Sequence, residues 1–293
     1  MTTEPQDLTI EADGATLAAR YVPPVGPARA NMVIHGATGV PQRFYGAFAT
    51  WAAGQGIGTL TYDYRDFGQS LHRSLRKSDT TFADWLMRDQ PAAEAMLAGL
   101  APEGPLWVLG HSLGGFGLAF RDYDPRVEKI VTVGTGRVHY TDHPWSYRPL
   151  AMAFWFGPGP AATAAAGYMP GRLIGFGADL PAGVYWQWRR WCTRREFFYS
   201  DVGRTLPEPD FHRPGPDINL FTMSDDVVVP PVAVRRYAEA FPETRATCHQ
   251  LVPQDFGVAA LRHIEVLSRL GAPAWPAILG LDSPEAAPML KSA

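Results

Sequence analysis

A chain of 293 residues with 46% hydrophobic and 19% charged side chains is large enough to bury a full core and has the makeup of a soluble globule. Its net charge of -3 excludes nucleic acid or an anionic membrane surface as a general partner. Cys192 and Cys248 form no C-x-x-C or zinc-type pattern and are expected to be two separate thiols.

The first residues, Met1 to Pro5, show no basic patch leading into an apolar stretch, so no secretory signal is expected. No apolar run reaches membrane-spanning length, and a cytoplasmic location is the default expectation. Residues 7–22 predict a β-hairpin turning at Asp13-Gly14, and Pro23 to Pro27 a loop. Met32-Val33-Ile34 reads as a buried strand that ends at His35-Gly36-Ala37-Thr38-Gly39. Arg43 to Ala53 has helical spacing, and Ile57 to Tyr62 is a second strand closed by Asp63 to Ser70. Residues 81–100 are patterned as helix, with Asp89 placed to cap a fresh helix carrying Pro91 in its first turn.

Leu106 to Leu109 is a compact apolar run leading into Gly110-His111-Ser112-Leu113-Gly114, a G-x-S-x-G pattern. Helix-like spacing follows through Phe116, Leu118, Ala119 and Phe120, so Ser112 is predicted at a sharp strand-to-helix turn that needs small flanking residues. The following helix would aim its N-terminal N–H groups at the same spot. Val127 to Val133 is a further strand. This alternation argues for an α/β fold, a mostly parallel sheet with helices on both faces. In such sheets ligands bind beyond the carboxyl ends of the strands, where His35-Gly36, Asp63 and Ser112 fall.

The rhythm breaks between about Val138 and Arg204. This stretch holds more than half of the chain's nine Trp, many Arg and no clear buried strand. It is too long and aromatic for a plain loop and is read as a helical lid at 138–205, inserted into a core made of 1–137 and 206–293. The sheet pattern returns with Asp217 to Met223, followed at once by Ser224-Asp225-Asp226 and Val227-Val228-Val229-Pro230. Val232 to Phe241 is helical, Thr244 to Val252 a strand near the edge, and Ile264 to Leu270 opens a closing helical region. Beyond Leu281 the tail is expected to fray.

A serine hydroxyl needs a neutral imidazole to take its proton, and that imidazole needs a carboxylate to fix its tautomer. Of eight histidines, His263 alone follows the last strand by a loop, late enough in the chain to reach back to Ser112. His35 lies too near its own strand end, His111 would point to the side, and His249 sits within a strand. His72, His139, His143 and His212 lie in loop or lid contexts. Asp226 is the favoured acid, just past a strand end. Asp225 is its rival, because adjacent residues point in different directions and only one can face His263. The unused aspartate would serve as a turn or cap. The oxyanion donors are expected to be the backbone N–H groups of Leu113 and Ala37. His139-x-x-Asp142-His143 looks like part of a metal cluster but has no further ligand in view, so no metal and no cofactor are expected.

The order Ser112, Asp226, His263 on this alternation resembles the α/β-hydrolase superfamily, as do His35-Gly36, the Asp63-Tyr64-Arg65-x-Phe67-Gly68-x-Ser70 segment and Asp226-x-x-Val229-Pro230. The chain looks most like esterase- or lipase-like serine hydrolases with an aromatic-rich lid. It departs from many members at Arg262, where they carry Gly before the histidine. The resemblance implies a serine hydrolase that cleaves a small-molecule carboxylic ester, or a thioester, through an acyl-enzyme. Acyl transfer from the same intermediate is the alternative, and a non-catalytic binding protein on the same fold a remote one. The lid suggests an apolar or aromatic acyl group, and its arginines allow an anionic substrate. The oligomeric state is open, with a homodimer one option.

Overall fold

A computed structural model of the chain describes residues 4–281, so the tail for which fraying is expected lies outside the described residues. Among the described residues ten strands run in chain order: β1 (Gln6–Ala12), β2 (Ala15–Val22), β3 (Ala30–His35), β4 (Ile57–Tyr62), β5 (Leu106–His111), β6 (Val127–Val133), β7 (Tyr168–Met169), β8 (Leu180–Pro181), β9 (Ile218–Met223) and β10 (Ala246–Leu251). Eight form one sheet in the order β1-β2-β4-β3-β5-β6-β9-β10. The β1–β2 and β2–β4 pairs are antiparallel and the rest parallel.

Every residue of β3, β4 and β5 is buried, as central parallel strands covered on both faces must be. Successive side chains leave a strand on opposite sides, so Val33, Leu60, Val108 and Ile130 join one core. Met32, Ile34, Leu109 and Val131 join the other, against Phe48 and Trp275, whose rings meet edge-on at 5.2 Å. The parallel arrangement brings the carboxyl ends of β3, β5, β6 and β9 to one edge of the sheet. His35 stands beside Gly110 in the β3–β5 register. The loops beginning at Gly36, Ser112, Gly134 and Ser224 therefore share that edge.

The 81–100 stretch is helical throughout and does not restart at Asp89. Thr81 caps it, with its side chain on the Asp84 N–H and the Asp84 carboxylate on the Thr81 N–H. A wide π turn over Trp85–Asp89 then runs into the α-helix Gln90–Leu100. Pro91 has no N–H to offer, and the wider turn carries the helix past it without a break. Asp89 has helical φ and ψ of -75° and -43°. Its carboxylate instead accepts from the buried Arg65, at 2.8 Å from the backbone N–H and 2.6 Å from Nε.

The same helix supplies Glu94, which bonds His35 Nε2 at 2.8 Å and pairs with Arg121 at 2.5 Å. Burial pushes the Glu94 carboxyl up, but the Arg121 charge and the His35 hydrogen bond outweigh it and hold the carboxyl at about 2. The folded value lies below the unfolded one, so this stabilisation is present above about pH 4.5 and is lost as pH falls towards 2. Glu94→Gln, which leaves Arg121 buried without its charge partner, is expected to destabilise the protein by roughly 3 kcal/mol at pH 7. The gap to wild type is expected to shrink below pH 4.5, as read by urea unfolding at pH 7 and pH 3.

Between β6 and β9 the chain forms the helices Arg148–Phe156, Pro158–Ala166 and Ala182–Thr193 and a 3₁₀ turn, Phe197–Asp201. The β7–β8 ribbon in this region has two residues per strand, too short to show a period, and sequence patterning missed it. Asp201 ties the segment together by accepting from Trp191 Nε1 and Gln187 Nε2 and pairing with Arg190. Gln187 Oε1 accepts from the Ala83 N–H at 3.0 Å, and Trp191 stacks on Phe82, which sews the segment to the core. Among the described residues no helix is long and apolar enough to cross a membrane.

Candidate active site

β5 delivers Ser112 at its carboxyl end with φ of 53°, in the left-handed region that a side-chain-bearing residue rarely adopts. The turn is possible because its neighbours have no side chains. A Cβ on Gly114 would overlap the His35 carbonyl oxygen, and one on Gly110 would lie 2.5 Å from the Gly115 α-carbon. Thr135, after β6, braces the turn from the other side by donating to the Ser112 carbonyl at 2.8 Å. The segment that follows, Ser112–Ala119, is a 3₁₀ helix rather than the α-helix its spacing suggested. Gly114, Gly115 and Gly117 have little helical propensity, and Gly117 is pressed against the Arg121 and Gln90 side chains.

His263 comes from the loop after β10. Its Nε2 lies 3.0 Å from Ser112 Oγ and its Nδ1 2.7 Å from Asp226 Oδ2. A carboxylate only accepts, so Nδ1 carries the proton and Nε2 is left as acceptor for the serine hydroxyl. The other Asp226 oxygen accepts from the N–H groups of Val228 and Val229, both at 2.8 Å. Asp226 and His263 are both buried, while Ser112 is partly open.

The rival aspartate has a different use. Asp225 accepts from the N–H groups of Leu261 at 2.9 Å and Arg262 at 3.0 Å, and so clamps the loop that carries His263. Arg262 has φ of 46°, in the left-handed region that favours glycine. Here an arginine occupies the left-handed conformation with the Asp225 clamp on its amide.

His111, which the sequence placed to the side of the serine, is buried behind the site. It donates from Nε2 to the His263 carbonyl at 2.8 Å, so its Nδ1 is the acceptor for the Tyr45 hydroxyl at 2.9 Å. Tyr45 Oη in turn accepts from the Ala37 N–H at 2.8 Å. Burial, with the His263 charge adding to it, pushes His111 down to about 3, so the ring stays neutral and the relay keeps its direction. One chain of hydrogen bonds thus links the loop after β3 to the backbone of His263. It also engages the Ala37 amide, which sequence reasoning took as a free oxyanion donor. Leu113, the other expected donor, follows Ser112 directly. Nothing in the helical spacing of Arg43 to Ala53 marks Tyr45, which ends a 3₁₀ turn over Gln42–Tyr45.

Four of the other histidines have partners elsewhere. His35 bonds Tyr62 and Glu94, and His249 bonds Asn219 and stacks on Phe221. The cluster with metal-like spacing is spread over separate bonds: His139 with Thr141, His143 with the Val227 carbonyl, and Asp142 with Arg236. The segment between β6 and β9 reaches the site at two points. Phe176 lies on the loop after β3, where a Cβ on Gly39 would stand 2.9 Å from its ring. Tyr147 packs edge-on against His143, and burial together with the Asp226 charge pushes its phenol up.

Solved structures of similar fold include a soluble variant of monoglyceride lipase from Saccharomyces cerevisiae, determined with a substrate analogue. It has a TM-score of 0.63 at 15% identity, covering 96% of each chain. An α/β serine hydrolase homologue from Coxiella burnetii has a TM-score of 0.55 at 14% identity, covering 97% of this chain and 99% of that one. A thermophilic esterase from Thermogutta terrifontis has a TM-score of 0.55 at 15% identity, covering 94% and 97%. At these identities the likeness is one of fold. No curated protein matches the chain. The sequence profile of the alpha/beta hydrolase family matches residues 32–277, a span that takes in the turn at Ser112, both aspartates and His263. The chain belongs to the alpha/beta hydrolase family.

Proposed function

We propose that the protein is a serine hydrolase that cleaves a small-molecule carboxylic ester, or a thioester, through an acyl-enzyme on Ser112. The observation that carries this reading is the unbroken line from Ser112 Oγ through the two His263 nitrogens to Asp226, with links of 3.0 and 2.7 Å. Ser112 Oγ attacks the carbonyl carbon as its proton passes to His263 Nε2, and Asp226 stabilises the imidazolium. The oxyanion is held by the N–H groups of Leu113 and Ala37, the latter exchanging the Tyr45 hydroxyl oxygen for the substrate's. His263 protonates the leaving alcohol or thiol as it departs. A water then gives its proton to His263 and its oxygen to the acyl carbon, which frees the acid and restores Ser112.

In this reading the 138–205 segment is a lid over a core of 1–137 and 206–293. The closeness of Phe176 to Gly39, and the 3.0 Å bond of His143 to the carbonyl of Val227 next to Asp226, support that role, because they tie the segment to the loops after β3 and β9. The aromatic rings of Phe154, Trp155, Phe176 and Trp188, joined in the lid by five ring contacts of 4.5 to 5.5 Å between centres, favour an apolar acyl group. The test is covalent labelling by a fluorophosphonate, followed by a p-nitrophenyl ester panel of graded acyl length. Wild type is expected to label and to hydrolyse the panel, while Ser112→Ala does neither. Equal labelling of both proteins overturns the assignment. Ester product analysis with competing alcohols separates hydrolysis from acyl transfer.

A further inference from the structure

After β6 the chain passes Gly134, which lies against the His263 ring, where a Cβ would meet Nδ1 at 2.9 Å. Three residues on, the Arg137 guanidinium lies over the Tyr199 ring, 5.1 Å from its centre. The Arg137 backbone is fully engaged: its N–H donates to the Ala233 carbonyl at 3.0 Å, and its carbonyl accepts from Arg236 at 2.8 Å. Its side chain is not, because Arg137 Nε is buried with no hydrogen-bond partner among the described residues. A buried donor of this kind calls for an acceptor, since leaving it unmatched costs about 1–3 kcal/mol.

Arg137 lines a cavity of about 220 Å³ together with His139, Arg194, Arg195, Phe197 and Arg236. Arg194 and Arg195 are exposed, and neither guanidinium has an ion-pair or hydrogen-bond partner among the described residues. Arg236 is paired with Asp142 at 2.7 Å. Glu196 adjoins Arg195 in sequence and Glu239 acts on Arg236, but neither forms an ion pair with Arg137, Arg194 or Arg195 among the described residues. The balance at the cavity is therefore strongly positive. His139 responds to it, since burial and the Arg195 charge hold its imidazole below the ordinary value.

We propose that this cavity is a binding site for a phosphoryl group, held by Arg137, Arg194 and Arg195 with the Arg236–Asp142 pair as its fixed wall. A monocarboxylate offers one charge and one pair of acceptor oxygens, enough for a single guanidinium fork. Three arginines without counter-ions match an anion with two or more charges and several acceptor oxygens. The cavity is smaller than those that enclose whole drug-sized ligands, so the phosphoryl group enters and the rest of its molecule lies outside. That molecule is either the substrate's own charged end or a separate effector, and the two share the same recognition. The site does not depend on the assignment of Ser112, because binding is measured without turnover.

The experiment is calorimetric titration of wild-type protein with pyrophosphate at matched ionic strength. Saturable binding is expected, weakened about tenfold or more by Arg137→Ala and by Arg195→Ala. Arg172→Ala, at an exposed arginine elsewhere, should leave it unchanged. Arg195 is exposed, so its replacement decides the question even if Arg137→Ala fails to fold. Pyrophosphate is then added to hydrolysis of a neutral ester. Competitive inhibition assigns the site to the substrate's own phosphoryl end, and an effect on kcat assigns it to an effector. The proposal is overturned if no saturable heat appears, if Arg195→Ala binds as wild type does, or if acetate binds as tightly as pyrophosphate.

Discussion

Asp226→Asn is expected to lower kcat for ester hydrolysis by about 10⁴-fold with little change in KM. The asparagine keeps the shape of the carboxylate, and one of its groups can still accept from the N–H groups of Val228 and Val229 at the 2.8 Å positions. What changes is the group facing His263 Nδ1. If the amide nitrogen turns there, it donates, and the imidazole must carry its proton on Nε2, where it can no longer accept from Ser112 Oγ. Asp225→Asn should behave differently. It weakens the clamp on the amides of Leu261 and Arg262, whose hydrogen bonds are each worth about 1 kcal/mol. Turnover should fall less than tenfold, and the main loss should appear in thermal stability. A reversal of the two results would make Asp225 the acid and overturn the proposed triad.

This contrast also marks where sequence reading stopped. The alternation of apolar runs laid out the parallel sheet, because buried central strands leave a continuous hydrophobic signature and their ends bring the functional loops to one edge. The elbow was legible in the same way, since Gly110 and Gly114 stand where a Cβ would strike the backbone. Asp226 was favoured over Asp225 but not separated from it, because two adjacent carboxylates differ only in which way each points. Their separate partners, a loop amide pair for one and His263 for the other, belong to tertiary structure. His111 and Tyr45 were hidden for a related reason. Each reads locally as a neighbour of a motif or a core aromatic, and their link to His263 spans 152 residues of chain. The π turn before Pro91 was masked because a proline in a helical pattern is ordinarily read as a restart. The Arg262 departure found its account in a backbone angle, which sequence does not print.

Replacing Ser112 with Gly is expected to remove turnover, by about 10⁶-fold in kcat, and at the same time to make the protein more stable. The serine is held at φ of 53°, where a residue with a Cβ bears a strain of about 1–2 kcal/mol and glycine bears almost none. The Thr135 hydrogen bond goes to the Ser112 carbonyl and survives the substitution. Glycine gives back part of the gain through the greater freedom of its unfolded chain, leaving a net increase of about 1 kcal/mol. Ser112→Ala supplies the comparison, since it loses the hydroxyl but keeps the Cβ and therefore the strain. Chemical denaturation of the two variants should place Ser112→Gly above Ser112→Ala, with neither hydrolysing ester. If Ser112→Gly is the less stable by about 0.4–1 kcal/mol, the unfolded-chain entropy acts unopposed, the turn stores no strain, and the left-handed serine is held at no cost by the glycines around it. If glycine is the more stable, the fold sustains an unfavourable backbone conformation at the one residue whose hydroxyl must stand clear of the sheet.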